Sequence, residues 1–169
     1  MSYLDFISKE RVSVKAYNNA VLDGMTRLNP LIPFIVYIPV SLFFLVRAIW
    51  ASSGYILIHF LWMIPAITLF WTFLEFILHI TVLHNKKAGV VAKIHETHHQ
   101  YPNDPLRLSV PIWGSIPGGV IFYFGFRALV GPNLIDGFFG ILVAFYVLYE
   151  FTHYACLLYT SDAADEAKC

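Results

Sequence analysis

The sequence predicts an all-α integral membrane protein in which four transmembrane helices form two hairpins. The 169-residue chain is 58% hydrophobic and only 13% charged, which is too apolar for an ordinary soluble domain of this length. Four apolar stretches each approach the roughly 20 residues that a helix needs to cross the hydrocarbon of a bilayer. Together, composition and stretch length predict a multi-pass membrane protein.

The four stretches pair through very short connections. They are residues 31–50, 54–78, 112–130 and 134–155. The connections at 51–54 and 131–133 leave room only for tight turns, so each pair is expected to be a helical hairpin. The sequence Pro117-Gly118-Gly119 weakens the third stretch and predicts a kinked or partly re-entrant helix there.

The distribution of Lys and Arg predicts the orientation of the hairpins. Eight of the eleven basic residues lie in residues 1–30 or in the middle loop, whereas Arg47 and Arg127 lie near the two short turns. The positive-inside rule therefore places both termini and the middle loop in the cytoplasm. We expect residues 1–30 to form a cytoplasmic segment with an interfacial amphipathic helix, and residues 31–155 to form the membrane domain.

Six of the seven histidines converge on the predicted cytoplasmic face: His79, His84, His95, His98, His99 and His153. On a helix, the three histidines of the HxxHH sequence at 95–99 share one face within roughly 100°. His79 and His84 are about 140° apart on an α-helix, so both can bind one metal only if the helix loosens there. His59 lies roughly 30 Å before His79 along its helix and is expected to be a packing or interfacial residue.

A cluster of neutral imidazoles suits zinc, copper or iron. One zinc ion is satisfied by four ligands, so a surplus predicts two metal ions with open positions. A non-enzymatic membrane metal-binding or transport protein is the competing class, but a transporter places its ligands near the bilayer midplane. The net charge of zero offers no basic surface for nucleic acid, and Cys156 and Cys169 make no disulfide framework.

Three stretches resemble the histidine boxes of the fatty acid hydroxylase/sterol desaturase superfamily, and the match is closest to the fatty acid 2-hydroxylase branch. They are LEFILHITVLH (74–84), HETHHQYPNDPLRLSVP (95–111) and YVLYEFTHYA (146–155). Sterol oxidases, carotenoid hydroxylases and desaturases share the HxxHH box alone. Its combination with PxDPxRLxxP and VLYEFTHY is more specific, and the resemblance covers about residues 65–155.

The resemblance implies an O₂-dependent oxidoreductase with two non-haem metal ions, for which iron is expected and zinc is able to occupy the site. It implies that all six converging histidines are metal ligands. The implied partners are a lipid substrate (fatty acid, acyl lipid or ceramide), hydroxylated at C2, and an electron donor such as cytochrome b5 or ferredoxin. The active site would face the cytoplasm, on the endoplasmic reticulum of a eukaryote or the inner membrane of a bacterium. A sterol or carotenoid oxidase is the alternative within the superfamily.

Four further residues are expected to support the site. Glu75 lies one turn before His79 and is expected to hydrogen-bond a ligand histidine. Asp104 and Arg107 are expected to pair and shape the loop over the site. Glu150 stands where the family usually has Asp and keeps a carboxylate near His153.

The C-terminal stretch departs from the family pattern. The family places another histidine four residues after the one that matches His153, but position 157 is Leu, and no histidine follows it. Residues 156–169 read like the translation of a sequencing adapter. We therefore expect the native sequence to run only to about Ala155 here, and the chain as written to be an inactive fragment.

Overall fold

A computed structural model of the chain describes residue 8 and residues 12–51, 56–85, 87 and 89–159. Every regular element in these ranges is helical, as the sequence predicts. In chain order they are α1 (Ala20–Met25), α2 (Ile32–Ala51), α3 (Ile56–Leu78), a π-helical turn (His79–Leu83), α4 (Val90–Gln100), α5 (Ile112–Val130) and α6 (Ile135–Tyr159).

The chain divides into two compact units, and the boundaries fall within α3 and α6. The first, here called the histidine unit, comprises residues 1–30, 76–111 and 150–169. The second, here called the helix-core unit, comprises residues 31–75 and 112–149. The first break of the histidine unit falls after Pro30, and this unit also includes the middle loop. The predicted domain boundaries at residues 30 and 155 stay predictions.

Three described helical segments are long and apolar enough to cross a membrane: Ile32–Ala51, Ile58–Leu83 and Ile135–Cys156. They correspond to the first, second and fourth predicted spans. The third predicted span is a helix with the expected bounds, and it continues through Pro117, but it is not among the three. Its glycines, Pro117 and Arg127 lower its apolar content, so a fourth crossing stays a prediction.

The centre of the helix-core unit is the first half of α6, where residues 135–143 are all buried. A helix that is apolar on all sides requires neighbours all round it. The Ser41 hydroxyl on α2 donates a hydrogen bond to the Gly140 carbonyl at 2.8 Å. Phe126 of α5 stacks on Phe138 of α6 with ring centroids 5.1 Å apart, as the predicted second hairpin requires.

The turn between α5 and α6 depends on a glycine. Gly131 has φ +83°, a left-handed conformation that costs little only without a side chain, and its N–H bonds the Arg127 carbonyl at 3.1 Å. This helix ending confirms a turn at 131–133. Residues 52–54 of the first predicted turn and residues 160–169 of the tail lie outside the described residues.

In the histidine unit, α1 has an unusual distribution of polar and apolar side chains. The Asn19 side chain caps the helix by accepting hydrogen bonds from two backbone amides. The polar side chains of Asp23 and Thr26 are buried, whereas Val21 and Met25 are exposed by 71% and 47%. This arrangement turns the polar residues of the segment towards the protein and its apolar residues outwards.

Candidate metal centre

The π-helical turn after α3 brings the first two histidines together. The His84 amide bonds the His79 carbonyl at 3.0 Å, five residues back, so these two residues lie one above the other. Their Nε2 atoms are 3.0 Å apart. The loosening of the helix that their spacing requires is therefore present, and π-helical turns are frequent at functional sites.

The next helix, α4, contributes two more histidines one turn apart. His95 and His99 have their Nε2 atoms 2.9 Å apart. One nitrogen from each of His79, His84, His95 and His99 lies within 4.8 Å of the others. Ligand nitrogens around a tetrahedral zinc ion at 2.0–2.1 Å are separated by about 3.3 Å. These four residues, here called the four-histidine group, can therefore hold one metal ion with small movements.

The remaining two predicted ligands form a separate pair. The rings of His98 and His153 have their centroids 5.0 Å apart, edge to face. Within the described residues, His98 Nδ1 is a buried nitrogen without a hydrogen-bond partner, which is unusual for a buried polar atom. The structure thus divides the six histidines into four and two. All three histidines of the HxxHH sequence lie on the α-helix α4, as predicted, but only His95 and His99 belong to the four-histidine group.

Burial favours the uncharged form of four of these imidazoles, those of His84, His95, His98 and His99. Burial, aided by the nearby rings led by His99, lowers the pKa of His95 to about 3. Burial and the adjacent His153 likewise lower the pKa of His98 to about 3, and burial also lowers the pKa of His84 and of His99. At neutral pH these nitrogens therefore keep the lone pairs that a metal ion requires.

The loop after α4 is held by two buried polar contacts. The predicted pair is present, with Arg107 Nε 3.4 Å from Asp104 Oδ2. The Ser109 hydroxyl donates to Glu150 Oε2 at 2.6 Å, and both residues are buried. Since Glu150 lies one turn before His153, this carboxylate ties the loop to the helix that carries His153. Glu75 is half-buried in α3.

Sequence reasoning missed the partners that the N-terminal segment supplies. Asp23 accepts hydrogen bonds from the Ala16 amide at 2.7 Å and from Arg107 Nη2 at 2.7 Å. Burial raises the pKa of Asp23, but these bonds and those from Tyr17 and Arg27 outweigh it and lower the pKa to about 2. The signal in the sequence was Asp23 itself, a charged residue inside the apolar run AVLDGM, which indicates a buried partner for its carboxylate.

The donor set fits a transition-metal centre. Neutral imidazoles from two adjacent helical segments suit zinc, copper or iron, and the unpaired Nδ1 of His98 is a further available ligand atom. His59 is not part of the four-histidine group; its ring lies 6.2 Å from that of Trp62 in α3, as expected for a packing residue.

Comparisons with known proteins agree with the motifs. A family model for fatty acid hydroxylase matches residues 64–166, more than half of the chain. A mouse (Mus musculus) fatty acid 2-hydroxylase is 34% identical over 97 residues, which are 51% of this chain and 25% of that protein. An Arabidopsis thaliana dihydroceramide fatty acyl 2-hydroxylase is 34% identical over 89 residues, which are 50% of this chain and 38% of that protein.

The matched region spans only about a quarter of the mouse protein and about two fifths of the Arabidopsis protein. No solved structure matches the chain significantly. The family match nevertheless spans residues 79–153, which include every histidine of the candidate centre. The chain therefore belongs to the fatty acid hydroxylase family, and its similarity to characterised proteins is to the 2-hydroxylase branch.

Proposed function

We propose that the chain is the membrane domain of an O₂-dependent lipid hydroxylase that places a hydroxyl on C2 of a fatty acid or of the acyl part of a sphingolipid. The observation that carries this proposal is the four-histidine group in a chain of the fatty acid hydroxylase family. The choice of C2 rests on the relatives, whose names specify 2-hydroxylation.

The proposed centre holds two metal ions. The four-histidine group would supply the first position, and His98 with His153 would supply part of the second. Bound iron would supply the reductive activation of O₂ that an unreactive C–H bond requires. Zinc can bind the same nitrogens but has no redox chemistry, so an iron-loaded protein is the expected active form.

The chain's own residues hold and orient this centre. The imidazoles of His95 and His98 are ready to bind without losing protons, because burial lowers their pKa. Glu150 would orient the segment that carries His153 through its bond to Ser109. Glu75 stays a proposed hydrogen-bond partner for a ligand histidine, since such partners fix the ring orientation of metal-binding histidines.

The membrane is the proposed source of the substrate. Three segments can span a bilayer, and α5 is proposed as the fourth. The exposed apolar side of α1, with Val21, Leu22 and Met25, supports an interfacial position for the N-terminal segment. An acyl chain would then reach the centre without leaving the lipid.

The proposed active site faces the cytoplasm, where a small electron-transfer protein such as cytochrome b5 or a ferredoxin would deliver electrons. The support is the excess of Lys and Arg in the N-terminal segment and in the middle loop. The membrane would be the endoplasmic reticulum in a eukaryote and the inner membrane in a bacterium.

A sterol or carotenoid oxidase is the alternative enzyme, because the HxxHH box is common to these groups. The relatives favour a fatty acyl substrate. A non-enzymatic metal-binding protein would also bind metal through the four-histidine group. Turnover of a fatty acid, a ceramide, a sterol and a carotenoid, assayed side by side, separates these alternatives.

The decisive experiment combines metal analysis with product detection. A full-length version of the protein would be purified in detergent, loaded anaerobically with Fe²⁺, and given substrate, O₂ and a reductant. We expect two ions per chain and a product heavier by one oxygen atom. His99→Ala should lose the first ion, and His98→Ala should lose the second ion but keep the first. Both variants should lose turnover.

His59→Ala is the matched control, because His59 lies outside the four-histidine group and the pair. It should keep both ions. A metal-free protein that still turns over, or equal losses in His59→Ala and His99→Ala, would contradict the proposal.

A further inference from the structure

The guanidinium of Arg107 is among the most deeply buried groups of the chain, with the residue 1% exposed. Its Nε and Nη2 donate to the Val14 carbonyl at 3.1 and 2.7 Å. Nη2 also bonds Asp23 Oδ1 at 2.7 Å, and Nη1 bonds the Thr26 hydroxyl. All three nitrogens therefore bind the N-terminal segment, which lies more than 80 residues away in the sequence.

Asp23 is the carboxylate at the centre of this network. Besides Arg107, it accepts hydrogen bonds from the Ala16 and Tyr17 amides at 2.7 and 3.3 Å. Arg27 pairs with its other oxygen at 2.9 Å. A buried ion pair is weak evidence for stability by itself, because desolvation offsets the attraction. A pair with this many hydrogen bonds instead favours one geometry for the segments that it joins.

The network joins the N-terminal segment to the loop 101–109, which lies between α4 and α5 and carries Arg107. The Leu28 amide bonds the Leu106 carbonyl at 2.8 Å, and the Val14 amide bonds Asp104 Oδ2 at 3.3 Å. At its far end the loop holds Glu150 through Ser109. The loop thus begins just after His98 and His99 on α4. Its last residue, Ser109, bonds Glu150, which lies one helical turn before His153.

The four-histidine group does not depend on this loop. Its members lie on the π-helical turn and on α4, which contact each other directly. His98 and His153, in contrast, lie on α4 and α6 and are connected through the loop and Glu150. Loosening the loop should therefore change the position of one histidine relative to the other without separating the four-histidine group.

We propose that Asp23 and Arg107 are positioning residues that fix His98 against His153 and thereby build the second metal position. The inference rests on the proposed two-metal function. The N-terminal segment is, in this view, a part of the metal centre's support rather than only a membrane-surface element.

The test measures binding of Co²⁺ to a purified, metal-free, full-length version of the protein. Wild type should bind two ions. Asp23→Asn should bind the first ion normally and the second about 10-fold more weakly, at the lower end of the 10–100-fold cost of losing a direct partner of a metal ligand, because Asp23 acts through the loop. Arg107→Lys should behave like Asp23→Asn, because one ammonium group cannot reach all the acceptors of the guanidinium fork.

Asp136→Asn is the matched control. Asp136 is also 6% exposed and also bonds an arginine, Arg47, at 3.1 Å, together with the Tyr123 hydroxyl at 2.9 Å, but it belongs to the helix-core unit. It should keep both Co²⁺ affinities even where it lowers the melting temperature as much as Asp23→Asn does.

Three outcomes would overturn the proposal: unchanged affinity for the second ion in Asp23→Asn, equal loss of both ions in that variant, or the same selective loss in Asp136→Asn. If wild type itself binds one ion, the two-metal function fails, and amide hydrogen exchange decides the positioning role. Faster exchange in Asp23→Asn confined to the N-terminal segment, loop 101–109 and the turn around His153 supports it, and unchanged exchange there refutes it.

Discussion

The contact between α2 and α6 permits a quantitative prediction, because it leaves no space for a side chain at Gly140. A Cβ atom added there would lie 2.9 Å from Leu45 Cγ and 3.0 Å from the Leu45 backbone nitrogen. Ordinary van der Waals contacts are 3.4–4 Å. The leucine side chain can rotate away, but its backbone nitrogen cannot, so the two helices must separate by a few tenths of an ångström.

The cost of Gly140→Ala follows from these distances. Overpacking at a closely packed site destabilises a protein by about 1–3 kcal/mol. Separation of the helices also weakens the hydrogen bond from Ser41 to the Gly140 carbonyl, which contributes about 0.5–1.5 kcal/mol. Alanine recovers about 0.5–1 kcal/mol as a better helix former than glycine. We therefore expect a net loss of about 1–3 kcal/mol in the free energy of unfolding.

The assay is unfolding of the detergent-solubilised protein by a denaturing detergent, followed by circular dichroism. Gly125→Ala is the control, since no atom lies within 4 Å of its added Cβ, and it should be neutral or stabilising. Gly137→Ala should fall between the two, because its nearest neighbour is the end of the Phe60 ring at 3.3 Å. Equal unfolding free energies for Gly140→Ala and Gly125→Ala would refute the close α2–α6 contact.

Two further predictions concern topology and acid stability. Val90 is 37% exposed at the start of α4; in a background with Cys156→Ser and Cys169→Ser, Val90→Cys should resist an impermeant thiol reagent added outside intact cells. It should react after permeabilisation, and labelling of intact cells would contradict a cytoplasmic middle loop. The fold lowers the pKa of Asp23 from its usual 3.8 to about 2, so it favours the ionised form. The stability that Asp23 contributes is complete above about pH 4 and is lost as the pH falls towards 2. The difference in melting temperature between wild type and Asp23→Asn should therefore shrink between pH 4 and pH 2, and a constant difference would argue against the ionised pair.

Local sequence patterns were sufficient to predict the helices of this protein and its family. Long apolar runs predict helices wherever they occur, because backbone groups in an apolar environment must bond within their own segment. All four predicted spans are helices, and their ends lie within two residues of the expected bounds, except that α6 continues to Tyr159, four residues past the predicted end. The histidine boxes were sufficient to identify the family, because the type and spacing of the metal-binding residues can be read directly from the sequence.

The tertiary structure decided how these pieces combine. The division of six histidines into four and two follows from a π-helical turn and from the direction of His98 towards α6. The pairing of Arg107 with Asp23 joins residues 84 positions apart. Periodicity reports which face of a helix a residue occupies, but it carries no information about which distant segment will cover that face. A buried charge accepts the partner that packing brings within about 3 Å, and packing is a property of the whole chain.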